Sequence, residues 1–179
     1  MGECVITDGK YGVILADPPW RYSDLGHSRR VDRIYPLMKL EDICAVPVGQ
    51  LVADNAVLFL WSTSPMLLRE APAVISAWGF TYKASCVWDK EIYGMGHYWR
   101  IQHEMILLAT RGKPGTSAVH NLPSIIRSRR GKQHSAKPVQ LYDHIEAMYP
   151  KVPKLELFAR EQRAGWDAWG DELRASKVA

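Results

Sequence analysis

The sequence is poor in the features that mark several protein classes. It has only three cysteines, Cys4, Cys44 and Cys86, without framework spacing, so we expect no disulfide scaffold and a reduced, cytosolic chain. No uninterrupted apolar run reaches the roughly 18 residues of a membrane span. The opening residues lack a basic stretch followed by an apolar core, so no signal peptide is expected. With 13 glycines and 11 prolines, collagen-like and low-complexity chains are excluded.

The remaining composition is that of a globular domain. The chain has 179 residues, of which 47% are hydrophobic, so we expect a single domain over residues 1–179 with a full core. Its net charge of +4 permits a polyanionic partner without requiring one. Seven tryptophans fit either a large core or stacking on nucleobases, so their number does not distinguish the two.

Short apolar segments bounded by turn residues alternate with helical patterns along the chain. This alternation predicts an α/β domain with a mostly parallel sheet, in which ligands bind at the carboxyl ends of the strands. The predicted strands cover residues 11–16, 56–61, 82–88, 105–109, 124–128 and 154–159; one predicted helix begins within 62–65 and ends at Gly79, and another covers 138–149.

The end of the first predicted strand carries a motif with chemical meaning, Asp17-Pro18-Pro19-Trp20. Two prolines cannot continue a strand ladder, so they make a stiff turn that fixes a carboxylate beside an aromatic ring. The Asp17 carboxylate and the Pro18 carbonyl would accept both N–H groups of a planar nucleobase amine, and Trp20 would stack on the base. The methyl of a sulfonium donor would be the electrophile. The alternative is a purely structural turn around a buried tryptophan.

This motif is the signature of adenine-N6 methyltransferases, and the chain resembles the family of the catalytic subunit of the eukaryotic mRNA adenosine methyltransferase, in a short bacterial or phage form. The resemblance implies a Rossmann-like fold that uses S-adenosylmethionine, with helices on both sheet faces and a sheet that ends in an antiparallel strand. It also implies a permuted order, with the catalytic motif first. The matching segments are 16–20, 58–61, 96–99 with His103-Glu104, 134–138, 155–160 and 165–173.

The resemblance also implies a donor site. Asp17 would lie near the donor's ammonium group, and Lys137 would pair with its carboxylate at the start of a helix, where backbone N–H groups also favour an anion. Phe158 would pack against the donor adenine, or simply belong to the core. The remaining residues at donor positions are Glu156, Arg160, Gln162, Arg163, Asp171 and Glu172.

Two basic clusters follow predicted strand ends. If both loops leave the carboxyl edge, they reach the side of the sheet that holds Asp17, where they would bind phosphates. Ordinary solvated loops are the alternative. The candidate substrate-binding residues are His27, Arg29, Arg30 and Arg33 in the first loop, Arg129, Arg130, Lys132 and His134 in the second, and the rings of Tyr22 and Trp99.

We therefore expect S-adenosylmethionine-dependent N6-adenine methylation of nucleic acid, without a metal, in the cytoplasm of a bacterium or a phage-infected host. The short chain favours DNA over RNA. Two alternatives stay open: methylation of another planar amine, such as cytosine N4 or a glutamine amide, and a non-catalytic nucleic-acid-binding subunit. The second is disfavoured because Asp17, which degenerate relatives lose, is present. The chain would act as a monomer or a homodimer.

Overall fold

The structure, a computed structural model, describes residues 10–21, 37–94, 98–129, 137–171 and 173. The strands in these ranges join one seven-stranded sheet. They are β1 Tyr11–Ala16, β2 Val52–Ser62, β3 Thr81–Asp89, β4 His103–Arg111, β5 Ile125–Arg127, β6 Lys154–Leu157 and β7 Asp167–Trp169. The helices are α1 Leu40–Cys44, α2 Val48–Leu51, α3 Glu70–Ala77 and α4 Val139–Met148, with a 3₁₀ turn at Ser64–Met66. No helix of the described residues is long and apolar enough to cross a membrane.

The sheet has the order β5-β3-β4-β2-β1-β6-β7. Every neighbouring pair is parallel except the two pairs that β4 makes with β2 and β3, so the predicted mostly parallel sheet is confirmed. The expectation of an antiparallel strand at the end of the sheet is wrong. β4 runs back along β3 after the connection at 90–102, and β3 pairs with β5 on its outer side, so β5 and not the reversed strand forms the edge. The reversed strand is therefore third from the edge.

Helices cover both faces of the sheet, as predicted. Successive side chains of β1 point to opposite faces of the sheet. Ile14 and Ala16 pack in a core cluster with α1, α2 and α3, and Val13 and Leu15 pack in a second cluster with α4. The strand that leads to the predicted catalytic motif is thus buried on both sides, which explains its continuously apolar sequence. It lies between β2 and β6, in the middle of the sheet.

The strands predicted at 11–16 and 124–128 and the helix predicted at 138–149 correspond to β1, β5 and α4. The helix predicted to reach Gly79 is shorter than expected, because Pro72 has no N–H to donate within the helix and is tolerated only in the first turn. The α-helix therefore begins at Glu70, behind the 3₁₀ turn. Three short elements, α1, α2 and β7, have no predicted counterpart.

Gly170 generates a prediction about the edge of the sheet beyond β6. A Cβ at this position would overlap the backbone carbonyl of Ala159, so Gly170→Ala should lower the melting temperature by an amount equivalent to about 1–3 kcal/mol. Gly49→Ala is the matched control, since its Cβ would lie 3.6 Å from the flexible end of Arg111. Equal melting temperatures of the two variants by circular dichroism would contradict the tight packing of Gly170.

Candidate active site

The predicted catalytic turn lies at the carboxyl edge of the sheet and is held by backbone hydrogen bonds. The N–H of Asp17 donates to the carbonyl of Leu157 at 3.5 Å, so the turn is tied to the end of β6. The Pro18 carbonyl accepts the N–H of Trp20 at 2.8 Å, and the Pro19 carbonyl accepts the N–H of Met38 at 2.9 Å. These bonds and the two prolines fix where the Asp17 carboxylate stands.

Trp20 lies in the core on the α1–α3 side of the sheet, with only 6% of its surface exposed. Its indole N–H donates to the carbonyl of Trp61 at 3.3 Å, which anchors the turn to the end of β2. The ring therefore braces the turn in this structure. Its predicted role as a stacking surface for the base stays a prediction.

Lys137 lies just before α4 and connects two carboxylates. Its Nζ is 3.0 Å from Oδ2 of Asp17 and donates to Oε2 of Glu104 at 2.9 Å. The ammonium group also lies 4.2 Å from the centre of the Trp61 ring, within cation–π range. Glu104 in turn pairs with Lys90 at 3.3 Å. The result is a row of alternating charges, Asp17–Lys137–Glu104–Lys90, along the edge of the sheet.

The electrostatics of this row favour its charged form. Burial by itself would lower the pKa of Lys137, but Asp17 and Glu104 outweigh it and raise that pKa above its ordinary value. Burial likewise opposes ionisation of Glu104, yet Lys137 and Lys90 hold its pKa below the usual range. The charges of Lys137 and Glu104 are therefore stabilised by their neighbours, and removal of Lys137 would take this cation away from both Asp17 and Glu104.

Glu104 and Lys90 were not predicted as site residues, although Glu104 belongs to a segment that carries the family resemblance. Glu104 stands at the beginning of a strand, where no ligand is expected in a parallel sheet. Because β4 is antiparallel, its beginning lies beside the carboxyl ends of β2 and β3. If residues 103–111 had been predicted as the second, antiparallel strand of a hairpin with β3, Glu104 would have been expected at the carboxyl edge of the sheet.

Glu156, predicted at the donor site, stands on β6 next to the catalytic strand. The hydroxyl of Tyr142 on α4 donates to its Oε1 at 2.8 Å. Burial, together with the nearby charge of Asp17, raises the pKa of Glu156 to about 7. Burial and the contact with Glu156 also raise the pKa of Tyr142. Tyr142 was not predicted as a site residue, because the sequence indicated only that residues 138–149 form a helix.

Gln162 and Arg163 connect the segment after β6 to its surroundings. The Arg163 guanidinium lies 4.6 Å from the centre of the Tyr142 ring and donates to Glu146 of α4 at 2.9 Å. The Gln162 side chain donates to the carbonyl of Trp166 at 2.7 Å. Both side chains are thus engaged in holding the segment in place, and their predicted contacts with a donor stay predictions.

Phe158 follows β6 directly, with a φ of 61°, which an L-residue rarely adopts. Its ring meets Trp169 of β7 edge-on at 5.4 Å. Such backbone strain concentrates at functional sites. Arg160 is half-buried in the same segment, and Asp171 is exposed just beyond β7, so both stand at the carboxyl edge where the donor residues are predicted.

Of the predicted nucleic-acid residues, Arg129 and Trp99 are described. Arg129 is exposed beyond the end of β5, and Trp99 is exposed in the β3–β4 connection. Both lie at the carboxyl edge, but on the far side of β4 from Asp17. The other predicted site residues lie outside the described residues: Tyr22, His27, Arg29, Arg30, Arg33, Arg130, Lys132, His134 and Glu172. Within the described ranges, no group of three or more His, Cys, Asp or Glu residues is placed to hold a metal ion.

Comparison with known proteins identifies the family. The model of the MT-A70 family matches residues 11–172. The chain belongs to the MT-A70 family. It is 34% identical to the type II methyltransferase M.MunI of a Mycoplasma species, over 94% of this chain and 80% of that protein. It is also 27% identical to the human N(6)-adenosine-methyltransferase catalytic subunit METTL3, over 92% of this chain and 28% of that protein.

A plant relative gives the same result, since the MT-A70-like N(6)-adenosine-methyltransferase of Arabidopsis thaliana is 26% identical over 95% of this chain. The chain spans only about a quarter of the plant and human proteins, so the MT-A70 domain is what they share. These matches confirm the predicted family and the predicted methyltransferase class, which implies a methyl donor.

The raised pKa of Glu156 generates a prediction about stability. A carboxyl whose pKa is raised by folding stabilises the protein fully below its ordinary pKa of 4.5, and this contribution is lost as the pH rises through about 7. Glu156→Gln keeps an acceptor for Tyr142 and removes the titration. The melting temperature of the variant, relative to that of the wild type, should therefore rise between pH of about 5 and about 8.

Glu161→Gln is the control for this experiment, because Glu161 is an exposed glutamate of the same segment. Its melting temperature should follow that of the wild type across the same pH range. A difference between Glu156→Gln and the wild type that does not change with pH would contradict the raised pKa of Glu156.

Proposed function

We propose that this chain transfers a methyl group from S-adenosylmethionine to the N6 amine of adenine in nucleic acid, with DNA preferred to RNA. The observation that carries the proposal is the Asp17–Lys137 ion pair at the carboxyl edge of the sheet, in a chain of the MT-A70 family. The pair supports a functional site because it holds a lysine that is largely removed from water against a half-buried aspartate beside a rigid turn, where a hydrophobic contact would stabilise the fold at less cost.

The residues at the edge fit this methyl donor, which supplies an electrophilic methyl group on a sulfonium when bound. Its ammonium group requires an anion, and Asp17 is the carboxylate at the centre of the edge. Its carboxylate requires a cation: the ammonium of Lys137 has three N–H donors, of which two meet Asp17 and Glu104. Glu156, on β6 beside the strand that leads to Asp17, would accept hydrogen bonds from the ribose hydroxyls.

The turn supplies the chemistry for the methyl acceptor. An adenine amine is a poor nucleophile, since its lone pair is delocalised into the ring. The Asp17 carboxylate would accept one of its N–H groups, and the Pro18 carbonyl, which uses one lone pair for the N–H of Trp20, would accept the other. Because both acceptors are fixed before the base arrives, little reorganisation is required in the transition state.

The nucleic-acid side of the proposal rests on the surroundings of the turn. Arg129, with the basic residues predicted in the two loops, supports phosphate binding. The preference for DNA is supported by the match to M.MunI, of which the chain covers 80%. We further propose that residues 1–179 act as one methyltransferase domain, as a monomer or a homodimer, in the bacterial cytoplasm. The target base must leave the stack, or be unpaired already, to reach Asp17.

Replacement of Asp17 tests the catalytic assignment. Asp17→Ala should lower methyl transfer at least about 100-fold, because it removes an acceptor that acts in the transition state. Labelled methyl transfer to matched single- and double-stranded DNA and RNA, followed by nucleoside analysis, measures this effect and identifies the product. Activity within a few-fold of the wild type would exclude the assigned role. N4-methylcytosine as the product, or transfer to a protein amide instead, would overturn adenine as the substrate.

Replacement of Lys137 tests the donor site. Lys137→Ala should weaken S-adenosylmethionine binding by about 1–3 kcal/mol, the contribution of a hydrogen bond to a charged group. Isothermal titration calorimetry measures the affinity, and circular dichroism verifies that the variant is folded. Lys151→Ala, which changes an exposed lysine at the opposite edge, is the control and should bind as the wild type does. Unchanged affinity of a folded Lys137→Ala would remove Lys137 from the donor site.

A further inference from the structure

The connection between β3 and β4 continues the sheet ladder beyond its edge. The N–H of Lys90 donates to the carbonyl of Gln102 at 2.8 Å, and the N–H of Gly94 donates to the carbonyl of Ile101 at 2.9 Å. A Cβ at Gly94 would lie 2.6 Å from that carbonyl oxygen, so the close approach of the two arms requires glycine. The β3–β4 connection thus begins as a paired ribbon that projects from the sheet.

This ribbon displays aromatic rings to solvent. The exposed fractions are 76% for Tyr93, 96% for Tyr98 and 79% for Trp99, and we refer to these three residues as the aromatic tip. Together with Ile92 they make up four of the eight exposed large hydrophobic residues in the described part of the chain. Isolated exposed hydrophobic residues need no explanation, but a cluster of them marks a binding surface.

The aromatic tip lies at the same edge of the sheet as the catalytic turn. Three strand spacings separate β3 from β1, a distance of about 14 Å. The stem residue Lys90 is connected to Asp17 by Glu104 and Lys137, through ion pairs of 3.3, 2.9 and 3.0 Å. A short nucleic-acid strand could therefore reach from the turn to the tip along this edge.

Charges of both signs surround the tip: Glu91 is exposed beside it, and Arg127 pairs with Asp89 at 4.0 Å. Arg100 is exposed in the same connection, and Arg127 and Arg129 are exposed at the end of β5, which pairs with β3. Aromatic rings interspersed with arginines are the means by which proteins bind single nucleic-acid strands, since every base has a face on which a ring can stack. Tyrosine, tryptophan and arginine are also enriched at protein–protein interfaces, so a second copy of this chain is the competing occupant. A nucleic-acid strand is favoured because the tip shares its edge of the sheet with the catalytic turn.

We propose that the aromatic tip stacks on unpaired bases a few nucleotides from the target adenine, and so holds the strand open while the target lies in the Asp17 turn. This inference rests on the proposed function, because it assumes a nucleic-acid substrate. It adds a requirement that the turn alone does not impose. The substrate must offer at least one unstacked base on one side of the target.

The test compares two double variants, Tyr98→Ala/Trp99→Ala and Tyr98→Phe/Trp99→Phe. The second retains an aromatic ring at both positions. The probe is a single-stranded DNA of about 15 nucleotides with one adenine. A set of such DNAs carries fluorescent 2-aminopurine at successive positions on either side of that adenine. The alanine variant should bind this DNA at least about fivefold more weakly, and the phenylalanine variant within about twofold of the wild type. The slope of log affinity against log salt should stay unchanged, because no phosphate contact is removed.

Fluorescence of the 2-aminopurine reports which base stacks on the tip. Quenching of 2-aminopurine on binding should be strong for the wild type and weak for the alanine variant, since the ring that covers the base is gone. Tyr82→Ala is the matched control, because Tyr82 is an exposed tyrosine at the opposite end of β3. Its affinity and quenching should equal those of the wild type.

Two outcomes would overturn the inference. One is a folded alanine variant that binds and quenches as the wild type does. The other is a shift from dimer to monomer in sedimentation that accounts for the weaker binding, which would assign the tip to a second copy of the chain. In both cases methyl transfer by the wild type to DNA would leave the proposed function intact. Absence of methyl transfer to any nucleic acid would instead contradict the proposed function itself.

Discussion

The placement of the Lys137 ammonium between two carboxylates is the constraint on which the rest of the candidate site depends. Its side chain is 12% exposed and lies within 3.0 Å of both Asp17 and Glu104. A charge removed from water needs opposite charge close by. Because Asp17 follows β1 and Glu104 begins β4, the lysine ties the start of α4 to two strands that β2 separates. Trp61 of β2 lies between them and offers its ring face to the ammonium.

This arrangement gives the reversed strand a role. With β4 antiparallel, Glu104 lies at the carboxyl edge beside the ends of β2 and β3. In a parallel β4 the same residue would lie at the opposite edge, and Lys137 would have lost its second partner. The same reversal produces the β3–β4 connection, which carries the aromatic tip. A single change of strand direction therefore places both Glu104, a partner of Lys137, and the aromatic tip at the edge that holds Asp17.

The tryptophans of the described residues occupy two environments, the core and the solvent-exposed ribbon. The indole N–H groups of Trp20, Trp78, Trp88 and Trp166 each donate to a carbonyl or carboxylate inside the structure, as buried indoles must. Trp99 stands exposed on the ribbon instead. The number of tryptophans did not distinguish core packing from base stacking. Burial places Trp20 in the core although it belongs to the signature motif, and leaves Trp99 to face solvent.

The sequence by itself determined the features that local chemistry controls. An apolar run followed by two prolines defines β1 and its turn, and helical spacing of Leu141 and Ile145 defines α4. Only the tertiary structure decided which side chains meet. Residues 17, 104 and 137 are far apart along the chain, and strand order and direction bring them together; no local pattern encodes either. The partnership of Tyr142 with Glu156 and the three-residue strand β7 depend in the same way on neighbours that the folded sheet supplies.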